Sequence, residues 1–338
     1  MTWEFMTKQQ EISNSEPPLI DPALIVHDFF AINALNEFYT VNGWDANYRQ
    51  IEPGPLKVKL LALKLGHIEL FRERTNRRLE SSVISAEHAY SLIMTLSDVP
   101  GRVSGRTVGR HDLLLVPPKT RLNIVIPDGA DGLTIHLPAD RIDDYDVAFG
   151  GFDSLDDITH VTLRSTPTTT VDAFRRMVVT IFTGAPEATA NANMDWKLIL
   201  ALADMLDDRK SNGNGYDPYG RLEKHRIMQH ATDYVRVHLT EDIRITDLCA
   251  YCGVSLSTLE RVFRRELDLS PKDYILAIRL HEARRRFWDV ESKTLTIAEI
   301  AMSCGFTHMG RFSRRYRQHY GRLPSEDRIL GANGIAYN

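Results

Sequence analysis

Apolar residues between positions 21 and 50 recur at spacings that permit one or two helices, with Gly43 as punctuation. From Leu56 the pattern changes. LKVKLLALKLGHIELFRERTNRRLESSVIS alternates in places between apolar and polar, and turn residues bound its segments, as in short strands. Further strands are predicted at Ser91–Leu96, Asp112–Val116, Arg121–Ile126, Leu133–Leu137 and Asp157–Leu163. Turns at Pro100-Gly101, Pro117-Pro118 and Asp128–Gly132 separate several of them. Many short strands with regular turns imply a sandwich or barrel.

After Thr170 the period becomes helical. VDAFRRMVVTIFTG predicts one helix ending near Gly184, and MDWKLILALADMLDDRK predicts a second. Trp196, Ile199, Leu200, Ala203 and Leu206 give the second an apolar stripe, a candidate dimerisation face. SNGNGYDPYG, residues 211–220, is rich in turn formers and predicts a linker within 209–220. The chain thus divides into a strand-rich unit with helices at 21–208 and an all-helical unit at 221–330, an α+β organisation overall. Residues 1–20 and the last eight read as loose tails.

Seven helices are predicted in 221–330. Two segments there repeat each other. ITDLCAYCGVSLSTLERVFRRELDLSP (245–271) aligns with IAEIAMSCGFTHMGRFSRRYRQHYGRLP (297–324). Ile245 pairs with Ile297, Cys252 with Cys304 and Gly253 with Gly305. After one extra residue in the second turn, Leu259 pairs with Phe312, Arg261 with Arg314, Phe263 with Tyr316 and Pro271 with Pro324. The physical reading is two helix-turn-helix units. The glycines end the first helices in a left-handed backbone, and the i, i+4 apolar pairs face the core. The connecting helix at 272–289 spans about 27 Å at roughly 1.5 Å per residue. Successive major grooves lie about 34 Å apart on one face of DNA, so one unit of this kind can address two grooves.

Composition sharpens this picture. The 338 residues carry a net charge of −4, which by itself argues against a nucleic-acid partner. The distribution reverses that: residues 221–330 hold 20 Lys+Arg against 15 Asp+Glu, so the acidic excess lies entirely in the rest of the chain. No apolar run approaches a membrane span, and the acidic, Pro-broken N-terminus does not resemble a signal peptide. Three cysteines are too few for a disulfide framework, which makes a reducing cytoplasm the expected compartment.

Other chemistry is weakly signalled. Cys249 and Cys252 spell CxxC, but a four-ligand zinc site needs a second pair, so core cysteines are expected. His67-Ile-Glu69 could point two ligands to one strand face. The other histidines of the strand-rich half are scattered, and no nucleophile elbow or phosphate loop occurs. No cofactor or metal is therefore assigned. Arg72, Arg74, Arg77 and Arg78 form a basic cluster that could bind an anionic effector or could be a solvated strand edge.

The segment 225–328 closely resembles the DNA-binding domain of AraC/XylS transcription regulators. IAMSCGF, FSRRYRQHYG and LPSEDR carry the resemblance, with SLSTLERVFRREL, SPKDYI and IRLHEAR upstream. The family usually has Gly where Asp268 stands, Ser-Tyr at Gly310-Arg311, and Tyr-Arg where Asp327-Arg328 stands. Residues 43–79 resemble, more faintly, the N-terminal half of the ethanolamine-utilisation regulator subgroup. The resemblance implies a cupin-like or β-barrel effector domain, dimerisation helices and double-stranded DNA as partner. A small-molecule effector, a homodimer and RNA polymerase are the further candidate partners. By position it turns Ser257, Thr258, Glu260 and Arg261 of the first recognition helix toward DNA, and His308, Met309, Arg311 and Arg314 of the second. Arg315, Arg317 and His319 are expected at phosphates or in solvent. Two alternatives to an effector-controlled regulator stand beside it: a cupin-type metal enzyme with an appended DNA-binding domain, and a regulator governed by a protein partner.

Overall fold

The computed structural model describes residues 24–30, 32–41, 45–141, 161–166, 168–184, 194–206, 218–289 and 291–332. The strand-rich half contains β1 (Ile25–Phe29), α1 (Ile32–Val41), β2 (Asp45–Gln50), β3 (Val58–Leu65), β4 (Ile68–Thr75), β5 (Leu79–Ile84) and β6 (Ala89–Thr95). It continues with β7 (Gly101–Val103), β8 (Arg106–Val108), β9 (Asp112–Val116), β10 (Arg121–Ile126), β11 (Asp131–Pro138), β12 (Thr162–Ser165), α2 (Thr168–Thr183) and α3 (Met194–Leu206). The strands form two sheets, in the orders β1-β3-β4-β11-β6-β9-β12 and β2-β5-β10-β7-β8. Their ladders are antiparallel.

The larger sheet is covered on both faces, which explains why its strands alternate only in places. Leu70, Leu92, Met94, Leu133 and Ile135 pack on one side against Phe174, Val178 and Ile181 of α2 and Leu198, Ile199 and Leu202 of α3. Each such side chain stabilises the fold by about 1.5–3 kcal/mol when fully buried. The other face meets the smaller sheet, with Phe71 among Tyr48, Leu60, Leu79 and Val83. A cavity of about 110 Å³ lies between the sheets, lined by Tyr39, Tyr48, Phe71, Glu73, Ile124 and Ile126 among others.

Helices α4 (Pro218–Val237), α5 (Ile245–Cys252), α6 (Leu256–Leu267), α7 (Pro271–Trp288), α8 (Ile297–Ser303), α9 (Met309–Tyr320) and α10 (Pro324–Ala332) build the C-terminal half. Its first core joins α4, α5, α6 and the start of α7 through Ile227, Leu248, Leu259, Phe263 and Tyr274. The second joins the end of α7 to α8 and α9 through Leu280, Phe287, Ile300, Phe312 and Tyr316. Thus α7 belongs to both. Ile51 and Val125 of the strand-rich half reach into the first core, so the layers run helices, large sheet, small sheet, C-terminal helices.

Several expectations shift. Among the described residues of the stretch 21–50, one helix lies between two strands. The helical spacing of that stretch did not reveal β2, whose Asp45 pairs with Ile84 and Gln50 with Leu79 of β5. The predicted linker runs into structure, because Pro218 starts α4. The strand expected at 157–163 is described only as Thr162–Ser165, and the N-terminal tail and residues 333–338 lie outside the described residues. No helix among the described residues is long and apolar enough to cross a membrane.

Candidate nucleic-acid interface

Local sequence fixes both helix-turn-helix units. Gly253, at φ 67°, ends α5 and turns the chain. Ser255 then caps α6, its hydroxyl accepting from the Thr258 amide at 3.3 Å. In the second unit Thr296 accepts from the Glu299 amide at 3.2 Å, and Glu299 accepts in return from the Thr296 amide at 2.6 Å. Such caps contribute about 1 kcal/mol each. Gly305, at φ 82°, occupies the position equivalent to Gly253. Ser270 caps α7, with Pro271 at its first turn.

The two recognition helices bury one face and expose the other. In α6, Leu259, Val262, Phe263 and Leu267 are buried, while Ser257, Glu260 and Arg261 are exposed and Thr258 is half-buried beside its cap. In α9, Phe312, Tyr316 and Tyr320 are buried, while Arg311, Arg314, Arg315 and Arg317 are exposed. His308 is exposed and Met309 is half-buried against the core of its unit. Among the described residues no carboxylate lies within ion-pair distance of these four arginines or of Arg261. Their charge is therefore left for an external anion. Arg264, unassigned from sequence, is exposed as well. It stands three residues beyond Arg261, a helical spacing that could have signalled it.

His319 departs from its expected place. It is buried, and its Nε2 donates to the Gln50 carbonyl at 3.2 Å. Burial depresses its pKa to about 4, so the ring stays neutral at physiological pH. Arg279, another residue that sequence reasoning left aside, donates to the carbonyls of Leu239 at 3.2 Å and Gly305 at 3.4 Å, tying the two units together. Asp327, at a departure from the family pattern, is fully buried. It accepts from Arg284 Nε at 3.0 Å and Tyr316 OH at 2.7 Å, while the Arg284 guanidinium lies 4.4 Å from the Tyr320 ring centre.

The remaining candidates resolve into structure. Cys252 and Cys304 are buried free thiols, each pushed up to about 11 by burial, and Cys249 is half-buried. His67 sits exposed in the turn between β3 and β4, while Glu69 lies 3.6 Å from His136. Among the described residues no three His, Cys, Asp or Glu side chains converge as a metal site. The basic cluster is already paired: Arg72 and Arg74 meet Asp131 at 2.8 Å, Arg77 meets Glu52 at 4.0 Å, and Arg78 meets Asp268 at 3.2 Å. Of the stripe on α3, Ile199 and Ala203 are buried in the core against the large sheet. Trp196 and Leu200 remain exposed at 44% and 56%; the side chain of Leu206 lies outside the described residues.

Comparison with known proteins finds relatives of this C-terminal region. A family described as "Helix-turn-helix domain" matches residues 248–328. The "Probable thc operon regulatory protein" of Rhodococcus erythropolis is 32% identical over 101 residues, 30% of each chain. The "HTH-type transcriptional regulator GbdR" of Pseudomonas aeruginosa is 34% identical over 101 residues, 30% of this chain and 27% of its own. A crystal structure of a transcriptional regulator with an AraC-type DNA-binding domain, from Chromobacterium violaceum, aligns at 31% identity. It covers 31% of this chain and 92% of that one, with a TM-score of 0.30. The chain thus spans about 30% of the length of the relatives it matches. The repeated, capped, arginine-bearing unit at the C-terminus is a helix-turn-helix domain of the AraC/XylS type.

Proposed function

We propose that the protein is a sequence-specific, DNA-binding transcription regulator in which α6 and α9 enter successive major grooves. The observation that carries this reading is the pair of amphipathic recognition helices, each with its apolar face in a core and its polar or cationic face free. Arg311 and Arg314 read guanine edges, and Arg315 and Arg317 hold phosphates. Glu260 and Arg261 give the first groove a different chemistry. The 18 residues of α7 span about 27 Å, near the groove spacing.

Control by a small-molecule effector completes the proposal, with the two-sheet domain read as a cupin-like fold and its cavity as the effector site. Two features favour this. Ile124, Val125 and Ile126 line the cavity, and Val125 also packs into the first helix-turn-helix core. Arg102 also lines the cavity, and its Nη1 donates to Glu266 of α6 at 3.0 Å. One sheet therefore serves both as cavity wall and as seat for the DNA-binding unit. Pairing of two chains through Trp196 and Leu200, work in the cytoplasm and contact with RNA polymerase belong to the same proposal.

The test is selection of duplexes from a randomised library, followed by titration at several salt concentrations. Arg314→Ala should lower affinity by about 1–3 kcal/mol and relax preference at one base pair. Arg317→Ala should weaken all sequences alike and reduce the salt slope by about 1. Unchanged affinity and unchanged base preference in Arg314→Ala would remove that residue from the interface.

A further inference from the structure

The strand-rich half touches the two recognition helices at matching places. The repeat sets Glu266, Leu267 and Asp268 of the first unit against His319, Tyr320 and Gly321 of the second, counting back from Pro271 and Pro324. Arg102 donates to Glu266, and Arg78 donates to the Leu267 carbonyl at 3.2 Å and pairs with Asp268. On the other unit, His319 donates to the Gln50 carbonyl, the Gly54 amide donates to the His319 carbonyl at 2.7 Å, and Pro55 lies against Gly321. Both helices are thus held by their C-terminal ends, while the N-terminal halves carrying Ser257, Arg261, Arg311 and Arg314 stay clear.

Two side-chain details show that these contacts are built rather than incidental. Asp268 ends α6 at φ 55°, a left-handed backbone that its counterpart Gly321 adopts at φ 75° without a side chain to oppose it. The carboxylate placed there receives Arg78. Gln50 is wholly buried, and its amide nitrogen donates to the carbonyls of Glu52 at 2.8 Å and Gly54 at 2.6 Å, shaping the loop that reaches α9.

We infer that the strand-rich domain acts as a clamp that fixes the distance and rotation between the two recognition helices, so that Arg78, Arg102 and Gln50 are positioning residues for DNA spacing. This rests on the reading that both helices enter DNA. One inserted base pair moves the second groove contact by about 3.4 Å and turns it by roughly 35°. Without the clamp, bending of α7 and slippage at its cores could follow that displacement. With it, α9 must also break from the 50–55 loop.

The experiment starts from duplexes selected by the full-length wild-type chain from a randomised library. Affinities are then measured for the selected duplex and for the same duplex with one base pair inserted between its two contact regions. Wild type should prefer the original spacing by at least about tenfold. Arg102→Glu, which repels Glu266, should cut that preference to about twofold or less. Arg102→Glu combined with Glu266→Arg should restore it, a rescue that loss of folding would not show. Gln50→Ala should lower the preference from the other unit, and its folding is checked by thermal melting. An unchanged spacing preference in Arg102→Glu, or no restoration by the exchanged pair, overturns the clamp. If wild type selects no duplex at all, the DNA-binding reading itself fails, and the clamp with it.

Discussion

Glu73 carries a carboxyl group whose Oε1 is sealed from solvent without a hydrogen-bond partner, while Oε2 accepts from Tyr39 OH at 2.5 Å. Loss of hydration raises its pKa to about 7, against a smaller opposing effect of the tyrosine bond. The folded state therefore holds this proton more tightly than the unfolded chain, where the value is 4.5. The resulting stabilisation is present below pH 4.5 and is lost as pH rises through about 7. Glu73→Gln should remove this dependence. Denaturant unfolding at pH 8 should find the variant more stable than wild type by about 2–3 kcal/mol, and the two should converge below pH 4.5. Comparing the two proteins cancels the opposite trend from neutral His281 and His319, whose lowered values favour the fold above pH 6.5 and lose that advantage in acid. Sequence made the arginines of α9 legible because exposure follows from helical period. It left Glu73 unread and put His319 in the wrong place, since the groups that seal them come from residues such as Tyr39 and Gln50, far along the chain.

Among the elements, α7 carries the heaviest duty. It is only weakly amphipathic to the eye because Tyr274, Ile275 and Ile278 face one core and Leu280, Ala283 and Phe287 face the other. Arg284 points inward and is held by Asp327, which joins α10 to it. A buried ion pair of this kind adds little net stability, but removing one partner strands a charge. Asp327→Ala should therefore lower unfolding free energy by about 3–5 kcal/mol in urea titration. Pairing it with Arg284→Leu should recover much of that loss. The capped helices were readable because Ser255, Thr296 and the two glycines are local signals. The short strands β7 and β8 were not. Three-residue strands carry no period, and their pairing is set by neighbours such as Ile124 and Val125.

At the scale of the whole molecule, Glu80 marks the seam between the halves. Tyr274 OH donates to it at 3.0 Å, and Arg49 and Arg236 lie at 3.8 and 3.7 Å. The change of period after Thr170 and the turn-rich stretch 211–220 pointed in the sequence to a strand-rich part followed by a helical one. The seam could not be read there, because Glu80 sits in a strand whose alternation says only that it faces away from Leu79 and Val83. What it faces is supplied by Arg49 of β2 and by two residues more than 150 positions later, Arg236 and Tyr274.

The continuous helix α7 imposes a rule of phase on this assembly. One residue added within it, for instance an alanine between Ile278 and Arg279, rotates everything downstream by about 100° and advances it by about 1.5 Å. Phe312 and Tyr316 would keep their own packing, yet α9 would turn away from the 50–55 loop and from the second groove at once. Duplex selection with that insertion should recover single contact regions in place of paired ones. Between the two helix-turn-helix units, length is therefore quantised by the helical turn.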